Sequence, residues 1–339
     1  DQVGPYALLT PCNSASVGSI VFPFQGQSGF ALSSNLGNPN LKNERLNEYE
    51  IGFEGRFFKN KLGIELSYFD KQTIDGIIPG VVVSAASGYS STTINSAKLQ
   101  NKGIELLINA TPVRTAKFSW DVAFNYTRIR NKVLAINDAS NPPIEQLGNG
   151  FTQIIKGEPY GVKFGGRFAR TADGKLLIGD DGLPFRDEND GIIGNITPDW
   201  LAGINNTFRY GPFSFSFFFD MKMGGDIENN VDGYGYFYGT PKATENRADR
   251  IVDGIKASDG KANDITVTGQ DYWRRLNSIT EAVIQDGTYV KLRNVSLSYE
   301  FPRKMLEKTF VKGLNFSVTG RNLWIYSPHF TGADPEVSS

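Results

Sequence analysis

Period-two alternation of apolar and polar side chains constrains this chain more than any other feature. Successive side chains of a strand point to opposite faces, so alternation marks a strand with one apolar side. Eight segments show it. In 49–57, Tyr49, Ile51, Phe53 and Phe57 oppose Glu50, Glu54 and Arg56; in 62–69, Leu62, Ile64, Leu66 and Tyr68 oppose Gly63, Glu65 and Ser67. Segment 103–110 sets Ile104, Leu106 and Ile108 against Glu105 and Asn109, and 118–127 sets Phe118, Trp120, Val122, Phe124 and Tyr126 against Ser119, Asp121, Asn125 and Thr127. The pattern returns in 200–210, 213–221, 294–301 and 314–324, where Trp324 falls in less regularly. Most of these runs approach the roughly 9–11 residues a tilted strand needs to cross a bilayer.

The connections alternate between short and long. Short ones lie at Phe58-Lys61, Thr111-Lys117, Gly211-Pro212 and Pro302-Gly313; long ones span about 70–102, 128–199 and 222–288. An outer-membrane barrel has this asymmetry, with short periplasmic turns and long extracellular loops, whereas long structureless loops are uncommon in compact soluble domains. Aromatic residues gather at both ends of the strands. Phe57, Trp120, Tyr210, Phe213 and Tyr299 mark the turn end; Tyr49, Tyr126, Trp200, Tyr289 and Trp324 mark the other. Two such belts are expected where rings sit at membrane interfaces. The expected fold is all-β, an antiparallel transmembrane β-barrel, of which residues 1–339 form one part with about eight strands. A soluble β-sandwich, perhaps a glycan-binding module, is the alternative if the apolar faces meet across a core.

Composition removes other classes. The net charge is −1, which favours neither nucleic acid nor a polybasic membrane patch. Mean hydropathy is −0.30, and no apolar run of about 18 residues is present to make a transmembrane helix. Cys12 and His329 are the only residues of their kinds, which excludes an internal disulfide and a cysteine metal cluster and argues against a His-based zinc site or a Ser-His-Asp triad. With no nucleotide loop or hydrolase motif either, neither catalysis nor a cofactor is expected. The chain opens on Asp1 without an initiator Met or a signal peptide. It is therefore expected to be an internal stretch of a larger polypeptide.

Several motifs resemble those of the SusC/RagA family of TonB-dependent outer-membrane transporters. Asn38-Pro39-Asn40-Leu41-Lys42-Asn43-Glu44 leads to Tyr49-Glu50-Ile51-Gly52-Phe53, and Asn101-Lys102-Gly103-Ile104-Glu105 follows. Then come Ile193-Gly194 with Pro198-Asp199, Gly224-Gly225-Asp226-Ile227, and the run Ile284 to Val295 that includes Asp286-Gly287-Thr288-Tyr289-Val290-Lys291-Leu292-Arg293. Gly320-Arg321-Asn322-Leu323 and Asp334-Pro335-Glu336 close the series in family order. The resemblance implies a barrel of roughly 22 strands around a plug. On that count these segments are strands fourteen to twenty-one or so, with the plug, the early strands and the last strand outside them. It also implies a SusD-like surface lipoprotein as lid, energy from TonB-ExbB-ExbD acting on the plug, possible dimers of the SusC-SusD pair, and import of oligosaccharides or oligopeptides across the outer membrane of a Bacteroidetes-like bacterium. A passive porin or structural barrel is the alternative that shares every strand feature.

Two stretches are candidate sites. In Gly233-Tyr234-Gly235-Tyr236-Phe237-Tyr238-Gly239, read as an extracellular loop, the rings of Tyr234, Tyr236, Phe237 and Tyr238 are suited to stacking on sugar rings or gripping peptide side chains; loop packing or contact with a lid protein is the plainer reading. The acidic run 179–191 has the oxygen ligands of a calcium loop without its regular spacing, and so reads first as a solvated loop.

Overall fold

The computed structural model describes residues 8–14, 22–136, 146–149 and 152–336. The chain forms two compact units, one of residues 1–49, 70–101 and 131–162, the other of 50–69, 102–130 and 163–339. All eight alternating segments become neighbouring strands of one sheet. They are β1 (Arg45–Phe57), β2 (Leu62–Val82), β3 (Ser91–Arg114), β4 (Phe118–Ile136), β5 (Pro198–Tyr210), β6 (Phe213–Gly224), β7 (Tyr289–Glu300) and β8 (Asn315–Tyr326). Each hydrogen-bonds to its neighbours in chain order, an up-and-down meander with β1 and β8 at its edges. The 12 residues of β6 and the 13 of β5 exceed what a tilted strand needs to cross a bilayer.

The turns follow from local chemistry. Phe58, Lys59 and Asn60 all take left-handed backbone angles and reverse the chain between β1 and β2. Gly211, at φ 56°, does the same between β5 and β6, a conformation glycine adopts without steric cost.

Register keeps the two faces apart. Trp120 of β4 and Phe215 of β6 both lie opposite Phe208 of β5, and Phe124 and Phe219 both lie opposite Ile204. The apolar face is a field of rings, with centroids 5.7 Å apart for Trp120–Phe208, 5.7 Å for Phe217–Phe219 and 4.9 Å for Phe213–Tyr299. The polar face is hydrogen-bonded to itself: Thr111 donates to Asp121 at 2.7 Å, and Arg209 forms an ion pair with the same carboxylate. Asn206 is the exception, an amide among the rings opposite Val122 and Phe217. Its side-chain oxygen accepts the Trp120 indole N–H at 3.0 Å, which satisfies both groups.

The strands run further than alternation predicts. Residues 70–102, expected to be a loop, are strand up to Val82 and again from Ser91. Asp75 and Gly80 have positive φ, which shifts the phase of the side chains without ending the strand and so hides it from a period-two count. β4 likewise continues past Arg128 to Ile136. In the first unit, Ile78, Ala97, Val133, Ile136, Leu147 and Ile154 form an apolar cluster in which Val133 is wholly buried. In the second, 163–197 and 225–288 are largely ordered, with small sheets around Ile178, Leu183, Val252 and Val267 and two helices, α1 (Asn230–Tyr238) and α2 (Gly269–Asn277). Among the described residues no helix is long and apolar enough to cross a membrane.

The face assignment is directly testable. In the full-length protein in lipid, Phe217→Arg at mid-height on the apolar face is expected to cost about 2–4 kcal/mol. Ser216→Arg, on the polar face next to it, is expected to leave stability within about 0.5 kcal/mol. Equal losses in urea-unfolding curves would show that the faces are misassigned.

Candidate functional site

A bulge in β7 sets up the polar side of the site. Between Phe218 and Phe219 of β6 the register skips Arg293, so the phase of β7 flips there. Beyond the bulge Val290 and Leu292 lie opposite Met221 and Phe219 on the apolar face, while Tyr289 and Lys291 lie opposite Lys222 and Asp220 on the polar one. Tyr289 was expected in the outer aromatic belt. It is instead only 6% exposed, and its hydroxyl donates to Glu336 at 3.1 Å.

Tyr289, Lys291 and Arg293 together hold the segment Asp334-Pro335-Glu336. The Lys291 ammonium, almost fully buried, donates to Asp334 at 2.5 Å and Glu336 at 2.6 Å. Arg293 bridges Asp220, at 2.8 Å from Nε, and Glu336, at 2.6 Å from Nη1. Hydrogen bonds from Arg293 hold the Glu336 carboxyl down at about 2. Neither lysine nor glutamate is left with an uncompensated charge in this partly buried place.

The same segment is tied to α1. Asn229, 2% exposed, caps the helix by accepting the Asp232 N–H at 3.0 Å. Its amide donates to Thr331 O at 2.7 Å and to Gln285 Oε1 at 2.9 Å, and Thr331 Oγ1 donates to Asp232. The glycines of the Gly233–Gly239 stretch explain why it is helical despite its composition. A Cβ on Gly235 would fall 2.5 Å from Pro241 Cγ, so only glycine lets that loop close on the helix. Gly239 ends α1 in the left-handed conformation, its N–H returning to Gly235 O at 2.8 Å.

The expected aromatic loop is thus a helix, and the structure divides its rings. Tyr236, Phe237 and Tyr238 line one pocket of about 400 Å³ with Thr244, Arg247, Thr268, Gln270 and Trp273. Tyr234 lies outside it, exposed. Tyr236 is the buried wall, its ring 5.0 Å from that of Trp273, and burial pushes its phenol above the usual range. Tyr238 is 74% exposed at the rim, and Phe237 meets it edge-on at 5.2 Å. Arg250 stacks over Tyr272 at 4.8 Å and Trp273 at 5.6 Å, and Arg274 over Phe237 at 5.1 Å.

No local pattern links Arg247, Gln270 and Trp273 to Tyr236, because packing and not chain neighbourhood brings them into the pocket. The signal was the start of α2: Thr268 caps the helix by accepting the Asp271 N–H at 3.1 Å and donates to the Asp271 carboxylate at 2.7 Å. Thr268-Gly-Gln-Asp is a cap pattern that places Trp273 within the following helix. Chemically the pocket offers aromatic faces, a guanidinium, hydroxyls and an amide, a set suited to holding polar rings or side chains.

The acidic run 179–191 does not gather. Asp181 pairs with Arg275 at 2.5 Å, Asp187 with Arg167 at 3.0 Å, and Asp190 with Arg186. Among the described residues no three His, Cys, Asp or Glu side chains are placed to hold a metal.

Comparison with known proteins agrees with this geometry. The family described as TonB dependent receptor-like, beta-barrel matches residues 13–323. TonB-dependent receptor P3 of Formosa agariphila is 30% identical over 99% of this chain and 34% of its own length. TonB-dependent receptor SusC of Bacteroides thetaiotaomicron is 24% identical over 89% of the chain and 30% of its own length. The solved RagAB peptide transporter superposes with a TM-score of 0.73 at 18% identity, covering 99% of this chain and 37% of that one. The chain therefore spans about a third of the length of these relatives.

Two outcomes follow in the full-length protein. Asn229→Ala leaves buried partners unsatisfied and is expected to lower the local stability of α1 by about 1–3 kcal/mol, read as faster hydrogen exchange in 230–238. Because the folded-state value of Glu336 is depressed, the carboxylate's contribution is complete above its ordinary 4.5 and is lost as pH falls from there toward about 2. Exchange protection of 327–336 should hold from pH 8 to 5 and decline below pH 4.5.

Proposed function

The chain belongs to the TonB-dependent receptor β-barrel family of outer-membrane proteins, and on that premise we propose that its sheet is one sector of the wall of an active nutrient importer. The observation that carries this reading is the two-faced meander, an apolar face of rings backed by a polar face of ion pairs and amides. Such a wall meets lipid on one side and a wet interior on the other. The cargo is an oligosaccharide or oligopeptide; a RagAB peptide transporter among the structural relatives keeps the peptide class open. A SusD-like lipoprotein covers the extracellular side, and TonB-ExbB-ExbD supplies the energy through the plug.

In this reading Tyr236, Phe237, Tyr238 and Trp273 grip cargo above the barrel. Ring stacking of this kind contributes about 0.5–1.5 kcal/mol per aromatic pair. Tyr238, exposed at the rim, can be changed without disturbing the helix.

Cells carrying the gene should accumulate labelled oligomers from at least one class, and lose that uptake on deletion of the gene or collapse of the proton gradient. Unchanged uptake of every oligosaccharide and oligopeptide offered would overturn the proposal. Tyr238→Ala is expected to raise the Kd of the accepted oligomer about threefold to tenfold with the protein still folded. An unaltered Kd would remove the pocket from the cargo path while leaving import intact.

A further inference from the structure

The turn end of the sheet carries a charge pattern that import does not use. Residues Lys59, Lys61 and Lys117 stand in two short turns, and Arg303, Lys304, Lys308 and Lys312 in the connection between β7 and β8. Against these cations the same turns hold one acid, Glu307. None of the seven has a carboxylate within ion-pair distance among the described residues; on the polar face and in the opposite loops Arg130, Arg167, Arg170, Arg209 and Arg275 are paired, and Arg250 and Arg274 stack on rings.

Large apolar side chains stand among these cations. Phe310 is 95% exposed and Met305 62%, in the one turn-end connection that is longer than it needs to be for a hairpin. A short helix, Arg303–Leu306, begins it, and Thr309 N–H closes back on Leu306 O at 2.9 Å. The strands on either side bring Tyr299, Phe301 and Phe316 to this end, with Tyr299 and Phe301 in edge contact at 4.9 Å. An exposed Phe beside unpaired lysines, at the level where the aromatic belt ends, is the chemistry of an interfacial lipid contact.

We propose that this end of the sheet, and the 303–312 turn above all, binds the headgroups of anionic glycerophospholipids in the adjoining leaflet, with Phe310 seated at the headgroup–acyl boundary. The occupant is set by charge complementarity and position. Turn ends of such barrels face the periplasm, where the leaflet is phospholipid. Each lysine near an anionic surface contributes about fivefold in local lipid affinity.

The test uses the full-length protein reconstituted in mixed phosphatidylglycerol and phosphatidylcholine bilayers. Spin-labelled lipids report which headgroup adjoins the barrel, and the wild type is expected to select phosphatidylglycerol. The change Lys304→Gln with Lys308→Gln and Lys312→Gln should reduce that selectivity about fivefold or more, while the corresponding Lys→Arg changes retain it. In a second measurement, Phe310→Trp should add emission that brominated phosphatidylglycerol quenches. Selectivity equal in the wild type and the Gln variant overturns the proposal, as does added emission that brominated lipid leaves unquenched. Heat-modifiable migration in gels confirms that each variant is folded.

Discussion

Backbone N–H and C=O groups in hydrocarbon have no water to turn to, so a strand there must be paired along both edges. That constraint organises everything else in this chain. It explains why the eight strands form an unbroken meander in chain order. It also bears on β1 and β8. Tyr49 and Ile51 of β1 and Phe316 and Val318 of β8 are exposed large apolar residues at the two edges of the sheet. Such edges are compatible with lipid only within a closed barrel, in which other strands take up their outer hydrogen bonds. The family to which the chain belongs is described as a β-barrel, and the chain spans about a third of its relatives' length.

A second requirement is that each strand keep its faces in phase from end to end. β7 shows how narrowly this is met. With Val295, Leu297 and Tyr299 facing lipid, unbroken alternation would carry Lys291 to the same face. The bulge at Arg293 reverses the phase, so that Lys291 enters the polar side and finds Asp334 and Glu336. A bulge costs a ladder hydrogen bond locally and re-aims the side chains beyond it. Here the re-aimed side chains are those that hold the segment after β8.

The strands were legible because alternation is a property of neighbouring residues, and Phe118 to Tyr126 or Phe213 to Met221 announce it without reference to anything distant. The rest depended on events that break a local count. Asp75 and Gly80 change phase inside β2, and Arg293 does so inside β7, so strand continued where the pattern appeared to stop. The sequence of α1 suggests a loop for a sound reason: glycine in a helix interior costs about 1 kcal/mol relative to alanine, and the helix contains Gly233 and Gly235. It forms because Asn229 caps it, Gly239 ends it, and Val283 and Pro241 pack where larger side chains would not fit. Tertiary contacts overrode propensity. Trp273 and Arg247 joined the pocket by the same route, through packing that no local pattern records.

The way the segment after β8 is held bears on how the site works. It is fixed by Ser327 to Thr288 O at 3.1 Å, by Thr331 to the α1 cap, and by Asp334 and Glu336 to β7. These anchors are polar, and the same segment also buries the ring of Phe330. Charge-assisted hydrogen bonds retain strength where they are partly shielded from water. They are also directional. An apolar contact tolerates sliding, but Arg293 shared between Asp220 and Glu336, with Lys291 on the other side, admits one position of the segment. Because Thr331 of that segment also holds the N-terminus of α1, the wall of the pocket and the polar face of β7 are parts of one hydrogen-bonded frame. Tyr236 and Phe237 therefore stand on a support rooted in the sheet instead of on a loop free to yield.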